Sequence, residues 1–326
     1  MSPHRQGLPQ VSGGLFLADG GLETDLIFHH GVEIREFAAH TLLPDAGTRE
    51  RVAAYFRRFL ALAREHDAGF ILDSQTWKAH LHWAGALGAT EAELRDANRE
   101  SIAFISDLRD EFANGGQPIL LNGIIGPTSD AYAPEGHVTA EEAERYHARQ
   151  IEWLAGTEVD MITATTFPRA DEAIGLVRAA RRAGLPVVVS FTVETDGRLA
   201  TGMPLADAVR RVDDATAGGA AYFMVNCAHP DHFFHVFDGS EWTRRIRGLR
   251  CNASRRSHAE LDASTELDDG SPEELGRRYR DLRQRMPWIN VLGGCCGSDL
   301  RHVTAIARAA SNRTGPGPLS HTAAGR

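Results

Sequence analysis

The sequence predicts a single-domain (β/α)8 barrel, and two observations carry that prediction. Apolar runs that read as strands alternate with helix patterns about eight times in 326 residues, at intervals near 30 to 40. That order puts helices around a parallel sheet. No strand is followed by a Gly-x-Gly-x-x-Gly turn or a Walker-type loop, so an open doubly wound nucleotide-binding sheet has no motif behind it. The expected boundaries are a mobile segment over 1–13, the barrel over 14–310 and a disordered tail over 311–326, rich in Gly, Pro and Ser.

Leu15 to Asp19 reads as the first strand, closing on Gly20-Gly21. Val52, Tyr55, Phe56, Phe59, Leu60 and Ala63 recur at helical spacing within a helix over about 48–68. Phe70-Ile71-Leu72 is the second strand. The next helix starts at Thr90, where Glu93 completes a capping box, and runs to about Phe112. Pro118 to Asn122 is the third strand; a Pro/Gly-rich loop over 126–137 leads to a helix capped by Thr139 with Glu142. Asp160 to Thr163 opens strand four, whose helix runs from Arg169 to Ala183. Leu185 to Phe191 is continuously apolar, as in a strand buried on both faces. A helix over 204–217 leads to strand six, Ala221 to Val225. A helical return is expected over 231–247, then a weak seventh strand over 249–252, an acidic excursion over 260–269 and a helix over 272–285. Strand eight runs from Ile289 to Leu292, and Asp299 caps a last helix to about Ala310.

Hydrophobic residues at 42% and charged residues at 24% are ordinary for a globular chain. No apolar run reaches the ~18 residues that span a bilayer, and the N-terminus lacks the apolar core of a signal peptide, so a cytoplasmic location is expected. A net charge of −9 without a basic cluster argues against nucleic acid as the partner. Nothing in the sequence sets an oligomeric state. Four cysteines in so long a chain do not make a disulfide framework; metal binding or catalysis fits better.

Three of the four lie just past strand ends: Cys227 after strand six, and Cys295 and Cys296 after strand eight, 68 and 69 residues further on. In a barrel these positions share the C-terminal rim. Gly293, Gly294 and Gly297 give the backbone the bend that adjacent ligands need. Three thiolates favour zinc and leave its fourth position free; the alternative is three ordinary buried cysteines. A thiolate-rich zinc is suited to holding an incoming thiol as thiolate, which points to alkyl transfer onto sulfur more than to hydrolysis. Cys251 reads as a buried spectator, and His229, His232 and His235 as surface or supporting residues. Trp77, His80, His82 and Trp83 form an aromatic cluster after strand two, either loop packing or a face for a sulfonium. The long loop after strand seven has the place of a lid.

Asp19-Gly20-Gly21-Leu22-Glu23-Thr24-Asp25-Leu26, Asn226-Cys227-Ala228-His229-Pro230 and Gly293-Gly294-Cys295-Cys296-Gly297 together resemble the homocysteine S-methyltransferase family, over about Leu15 to Ala310. The resemblance implies a barrel with one Zn2+ per chain on Cys227, Cys295 and Cys296. It implies a homocysteine sulfur that attacks the methyl of a donor such as S-methylmethionine or S-adenosylmethionine, giving methionine. It places Asp19 and Gly20 at the amino-acid end of the substrate and Ser74 and Thr76 at its carboxylate; Asn226 is a further substrate or strand-tying candidate. One position departs: Thr165 stands where family members that use homocysteine carry a glutamate for the substrate ammonium. Asp73 or Glu194, just beyond strand ends, is expected to supply that charge. Otherwise the acceptor is a different thiol, or the chain is a non-catalytic zinc-thiolate sensor.

Overall fold

The computed structural model describes residues 3–311. Eight parallel strands close in sequence order into a barrel, with β1 paired to β8. They are β1 (Phe16–Leu17), β2 (Gly69–Asp73), β3 (Ile119–Ile125), β4 (Met161–Phe167), β5 (Val187–Phe191), β6 (Tyr222–Asn226), β7 (Ile246–Cys251) and β8 (Val291–Gly294). Parallel pairing puts every C-terminal end on one rim.

The apolar runs are buried on both faces, as such a sheet requires. Inside, Phe16, Ile71, Leu120, Met161, Val188, Tyr222, Met224 and Val291 fill the barrel. Outside, residues such as Leu72, Leu121, Val189, Phe223 and Leu292 meet the helices.

Seven long helices cover the strands: α1 (Ala46–Glu65), α2 (Glu91–Glu111), α3 (Ala140–Ala155), α4 (Ala170–Arg182), α5 (Leu205–Thr216), α6 (Pro272–Arg285) and α7 (Leu300–Ala310). The capping boxes read from Thr90–Glu93 and Thr139–Glu142 are both formed, each satisfying backbone amides at a helix start that have no partner inside the helix.

Two expectations are corrected. The helix expected over 231–247 is absent: Pro230–Phe233, Phe234–Val236 and Glu241–Arg245 are short turns, and β7 begins at Ile246, earlier than the 249 expected. Phe233, Phe237 and Trp242 are buried there as an aromatic cluster, which covers the sheet in place of a helix. The polar N-terminal segment, expected to be mobile, contacts the barrel from Arg5 onward. Arg5 donates to the carbonyls of Ala155, Thr157 and Val159 at 2.6–3.2 Å. Leu8 joins the interior cluster, and Gln10, fully buried, donates to the Tyr222 hydroxyl at 3.2 Å and accepts at its backbone carbonyl from Asn290. The expected tail lies outside the described residues except for Ser311.

Candidate active site

The barrel opens at its C-terminal rim into a cavity of about 560 Å³, with Cys227, Cys295 and Cys296 among its lining residues. β6 delivers Cys227 through a left-handed residue: its φ is +52°, a conformation that non-glycine residues adopt at a cost of ~1–3 kcal/mol unless the surroundings impose it. Asn226 helps to impose it. Its Oδ1 accepts from the Thr166 amide at 3.0 Å and the Ser190 hydroxyl at 2.6 Å, and its Nδ2 donates to Thr166 Oγ1 at 2.7 Å. Thr166 is itself left-handed, with φ +64°. One side chain thus ties the ends of β4, β5 and β6, and Asn252 Nδ2 adds a hydrogen bond to the Cys227 carbonyl at 3.0 Å.

β8 delivers the other two sulfurs on a tight turn. Gly297 takes φ +74°, and its amide donates to Thr24 Oγ1 at 3.2 Å. The turn after β1 lies so close that a Cβ on Gly21 would sit 2.7 Å from the Cys295 carbonyl oxygen, so only glycine fits. Beneath, the buried Tyr279 hydroxyl accepts from the Cys251 amide at 2.9 Å and donates to the Gly293 carbonyl at 2.6 Å, coupling the ends of β7 and β8.

The three sulfurs lie within 4.8 Å of one another. Cys296 Sγ is 4.0 Å from Cys227 Sγ, and Cys227 is joined to Cys295 as a disulfide with Cα atoms 5.4 Å apart. Tetrahedral zinc with sulfur at about 2.3 Å spaces its ligands by about 3.8 Å. The donor set and spacing fit that ion once the Cys227–Cys295 pair is reduced, because only thiolates ligate. Burial, then the charge of Glu23, pushes the Cys296 thiol up to about 11, so without a metal it stays protonated at neutral pH.

Beside the sulfurs lies an ionic cluster that sequence reasoning missed. Arg250, on β7, points into the barrel and pairs with both Asp19 and Asp73. Its Nε donates to the Gly294 carbonyl at 3.2 Å, and Tyr55 donates to Asp19 at 3.1 Å. Burial alone would lower the guanidinium pKa; Asp19 and Asp73 together hold it above its ordinary value. Burial pushes the Asp19 carboxyl up, against the pull of Arg250. A charged residue in the middle of a barrel strand was the available signal, but the short, weak pattern of Leu249-Arg250-Cys251 hid which face it took.

The profile of homocysteine S-methyltransferases matches residues 16–310. The chain belongs to the homocysteine S-methyltransferase family. Homocysteine S-methyltransferase 4 of Zea mays is 24% identical, over 93% of this chain and 92% of that protein. The S-methylmethionine–homocysteine S-methyltransferase BHMT2 of Mus musculus is 25% identical, over 67% of this chain and 62% of its own. The homocysteine methyltransferase MmuM of Escherichia coli shares the fold: its oxidized form superposes with a TM-score of 0.71 at 18% identity, covering 94% of this chain and 99% of that one, and its metallated form with 0.67.

The residues singled out on the homocysteine S-methyltransferase pattern divide into two groups. Asp19, Gly20, Asp73, Ser74, Thr165 and Asn226 line the cavity with the cysteines. Thr76 and Glu194 do not. Thr76 is fully buried, and its hydroxyl is used by Ser74 Oγ at 2.7 Å and the Ile124 carbonyl at 2.6 Å. Glu194 lies in a hairpin whose backbone bonds join it to Arg198 and Gly197. Asp73 faces the cavity but is held by Arg250 and by Asn122 Nδ2 at 2.7 Å, so neither expected carboxylate is a free replacement at Thr165. Trp77 and Trp83 line the cavity; the Lys78 ammonium lies 3.7 Å from the Trp83 ring centre, and Trp77 Nε1 donates to the Thr165 carbonyl. His80 and His82 pack away from the cavity; His80 Nδ1 is 2.6 Å from the Tyr146 hydroxyl. His229 Nδ1 accepts from the Asp231 amide, and His232 and His235 bond to the carbonyls of Arg255 and Asp196; none joins the sulfur cluster. Cys251 is fully buried, and desolvation pushes its thiol up to about 12. The loop after β7 contributes Leu261 and Leu267 to the cavity wall. No described helix is long and apolar enough to cross a membrane.

Proposed function

We propose that this protein transfers a methyl group from a sulfonium donor, S-methylmethionine or S-adenosylmethionine, to the sulfur of homocysteine, giving methionine. The observation that carries this is the cluster of three cysteine sulfurs within 4.8 Å on the wall of a rim cavity, delivered by β6 and β8. Cys227, Cys295 and Cys296 would hold zinc, which when bound supplies a soft positive centre that favours the thiolate form of the acceptor at neutral pH. The acceptor sulfur forms a bond to the donor methyl carbon as the carbon–sulfonium bond breaks, and the donor leaves as a neutral thioether.

The protein's own contribution is placement and exclusion of water. Asn226 and the Gly21–Cys295 contact fix the turns that carry the cysteines. Ser74 and the Gly20 backbone face the amino-acid end of the cavity. Trp77 gives the wall an apolar, electron-rich surface suited to a sulfonium, while the Trp83 ring already carries the Lys78 ammonium. Thr165 keeps a second reading open, in which the acceptor is another thiol or the site binds without turnover.

The test is a crossed one, metal content of the reduced protein with methionine formation from homocysteine and each sulfonium. One zinc per chain with methionine formed is the expected result. Zinc without turnover on homocysteine moves the assignment to another thiol or to a binding role. Absence of zinc after reduction overturns the assignment of the three cysteines.

A further inference from the structure

The charges that face the cavity do not balance in pairs. Asp19 and Asp73 share Arg250. Lys78 sits over Trp83 and donates to the Glu36 carbonyl at 2.6 Å. The end of β4 offers only neutral side chains, Thr163, Thr165 and Thr166. Glu23 is different. It lines the cavity from the one-turn helix Leu22–Thr24, and among the described residues its carboxylate forms no salt bridge. Its neighbours on both sides are anchored to the cysteine turn: Gly21 packs on the Cys295 carbonyl and Thr24 accepts from the Gly297 amide. Glu23 is therefore held on the same cavity wall as the sulfurs. Burial raises the Glu23 carboxyl against the pull of its own backbone amide and of Arg250 and Lys78, neither of which forms a salt bridge with it. A partly buried carboxylate that faces a ligand cavity is satisfied by a cation on the ligand.

We infer that Glu23 pairs with the α-ammonium of the acceptor, and so makes the site select an amino-acid thiol over the same thiol without its amino group. This deepens the proposed function and rests on it. The carboxylate of the acceptor site then comes from the β1 turn, and the neutral end of β4 loses no function. Glu23 touches substrate without taking part in bond making, so its removal is expected in binding more than in turnover.

The experiment compares wild type, Glu23→Gln and Glu23→Asp as reduced, zinc-loaded proteins. Two acceptors are used, homocysteine and 4-mercaptobutanoate, which keeps the chain, thiol and carboxylate and lacks the amino group. Both KM and kcat are measured at saturating S-methylmethionine, and Kd by titration without donor. Glu23→Gln is expected to weaken homocysteine by about ten- to a hundredfold, mostly in KM and Kd, with 4-mercaptobutanoate unchanged and zinc content retained; Glu23→Asp should restore part of the preference. An unchanged ratio between the two acceptors in Glu23→Gln overturns the inference. A rise in the KM of S-methylmethionine alone, measured with that donor varied at saturating homocysteine, also overturns it, because the carboxylate would then serve the donor. If wild type binds homocysteine without turning it over, the Kd ratio still decides on Glu23 while the proposed function falls. If wild type does not bind homocysteine, both fall.

Discussion

Replacing Arg250 with methionine tests the ionic cluster at the heart of the barrel. The side chains of Arg250, Asp19 and Asp73 are only 15%, 4% and 10% exposed. Methionine matches the length of the arginine stem, so packing is largely kept and what changes is charge. Two carboxylates then face each other without a cation. Breaking a buried pair by removing one partner costs about 3–5 kcal/mol, and here one residue serves two partners. For a chain of this size about 1 kcal/mol corresponds to roughly 2 °C, and Arg250→Met should lower the thermal midpoint at pH 8 by about 6–10 °C. The pH dependence has a definite sign. Burial already holds the native Asp19 carboxyl above its unfolded value near 4, and losing the pull of Arg250 raises it further. Between the two values the native state holds more protons than the unfolded one, so the variant gains relative stability as pH falls from 8 toward 5. The assay is thermal unfolding of both proteins followed by circular dichroism across that range. Adding Asp19→Asn and Asp73→Asn to Arg250→Met should return most of the loss. An Arg250→Met midpoint within 2 °C of wild type at pH 8, or a deficit that widens on acidification, would show that Arg250 does not hold the two carboxylates together.

Three other outcomes follow from the same geometry. Cys296→Ser should reduce bound zinc from one per chain to a small fraction while the far-ultraviolet circular dichroism stays unchanged, because no other cysteine is within reach of the cluster among the described residues. Tyr279→Phe leaves the Cys251 amide and the Gly293 carbonyl without a partner inside the barrel; chemical denaturation should report a loss of about 1–3 kcal/mol. His40 is buried with Nδ1 unpartnered, and desolvation pushes it down to about 4. Since the unfolded imidazole titrates near 6.5, the unfolded state takes up the proton first. Stability should therefore be full above pH 6.5 and decline toward pH 4, with up to about 3 kcal/mol from this group. Unfolding curves of His40→Gln should show a smaller slope over that window.

Local pattern encodes the strands and the helix starts. Apolar runs such as Leu185 to Phe191 can be buried on both faces only in a parallel sheet under helices, and Thr90–Glu93 and Thr139–Glu142 close helix starts within four residues. The cysteine motifs were legible for a related reason: residues at strand ends share a rim once the barrel is granted, so Cys227 and Cys295–Cys296 meet across 68 residues without further information. The return after β6 is not the helix expected over 231–247, because Phe233, Phe237 and Trp242 pack as a cluster over short turns. Which charges are already paired emerges from contacts between distant parts of the chain. Asp73 looked like a free carboxylate at a strand end until Arg250, 177 residues away, was seen to hold it. Glu23 looked like one residue of a turn motif until that turn was found packed on Cys295 and Gly297. Pairing depends on distance between residues remote in the chain and on the face a side chain takes, neither of which a one-dimensional pattern records.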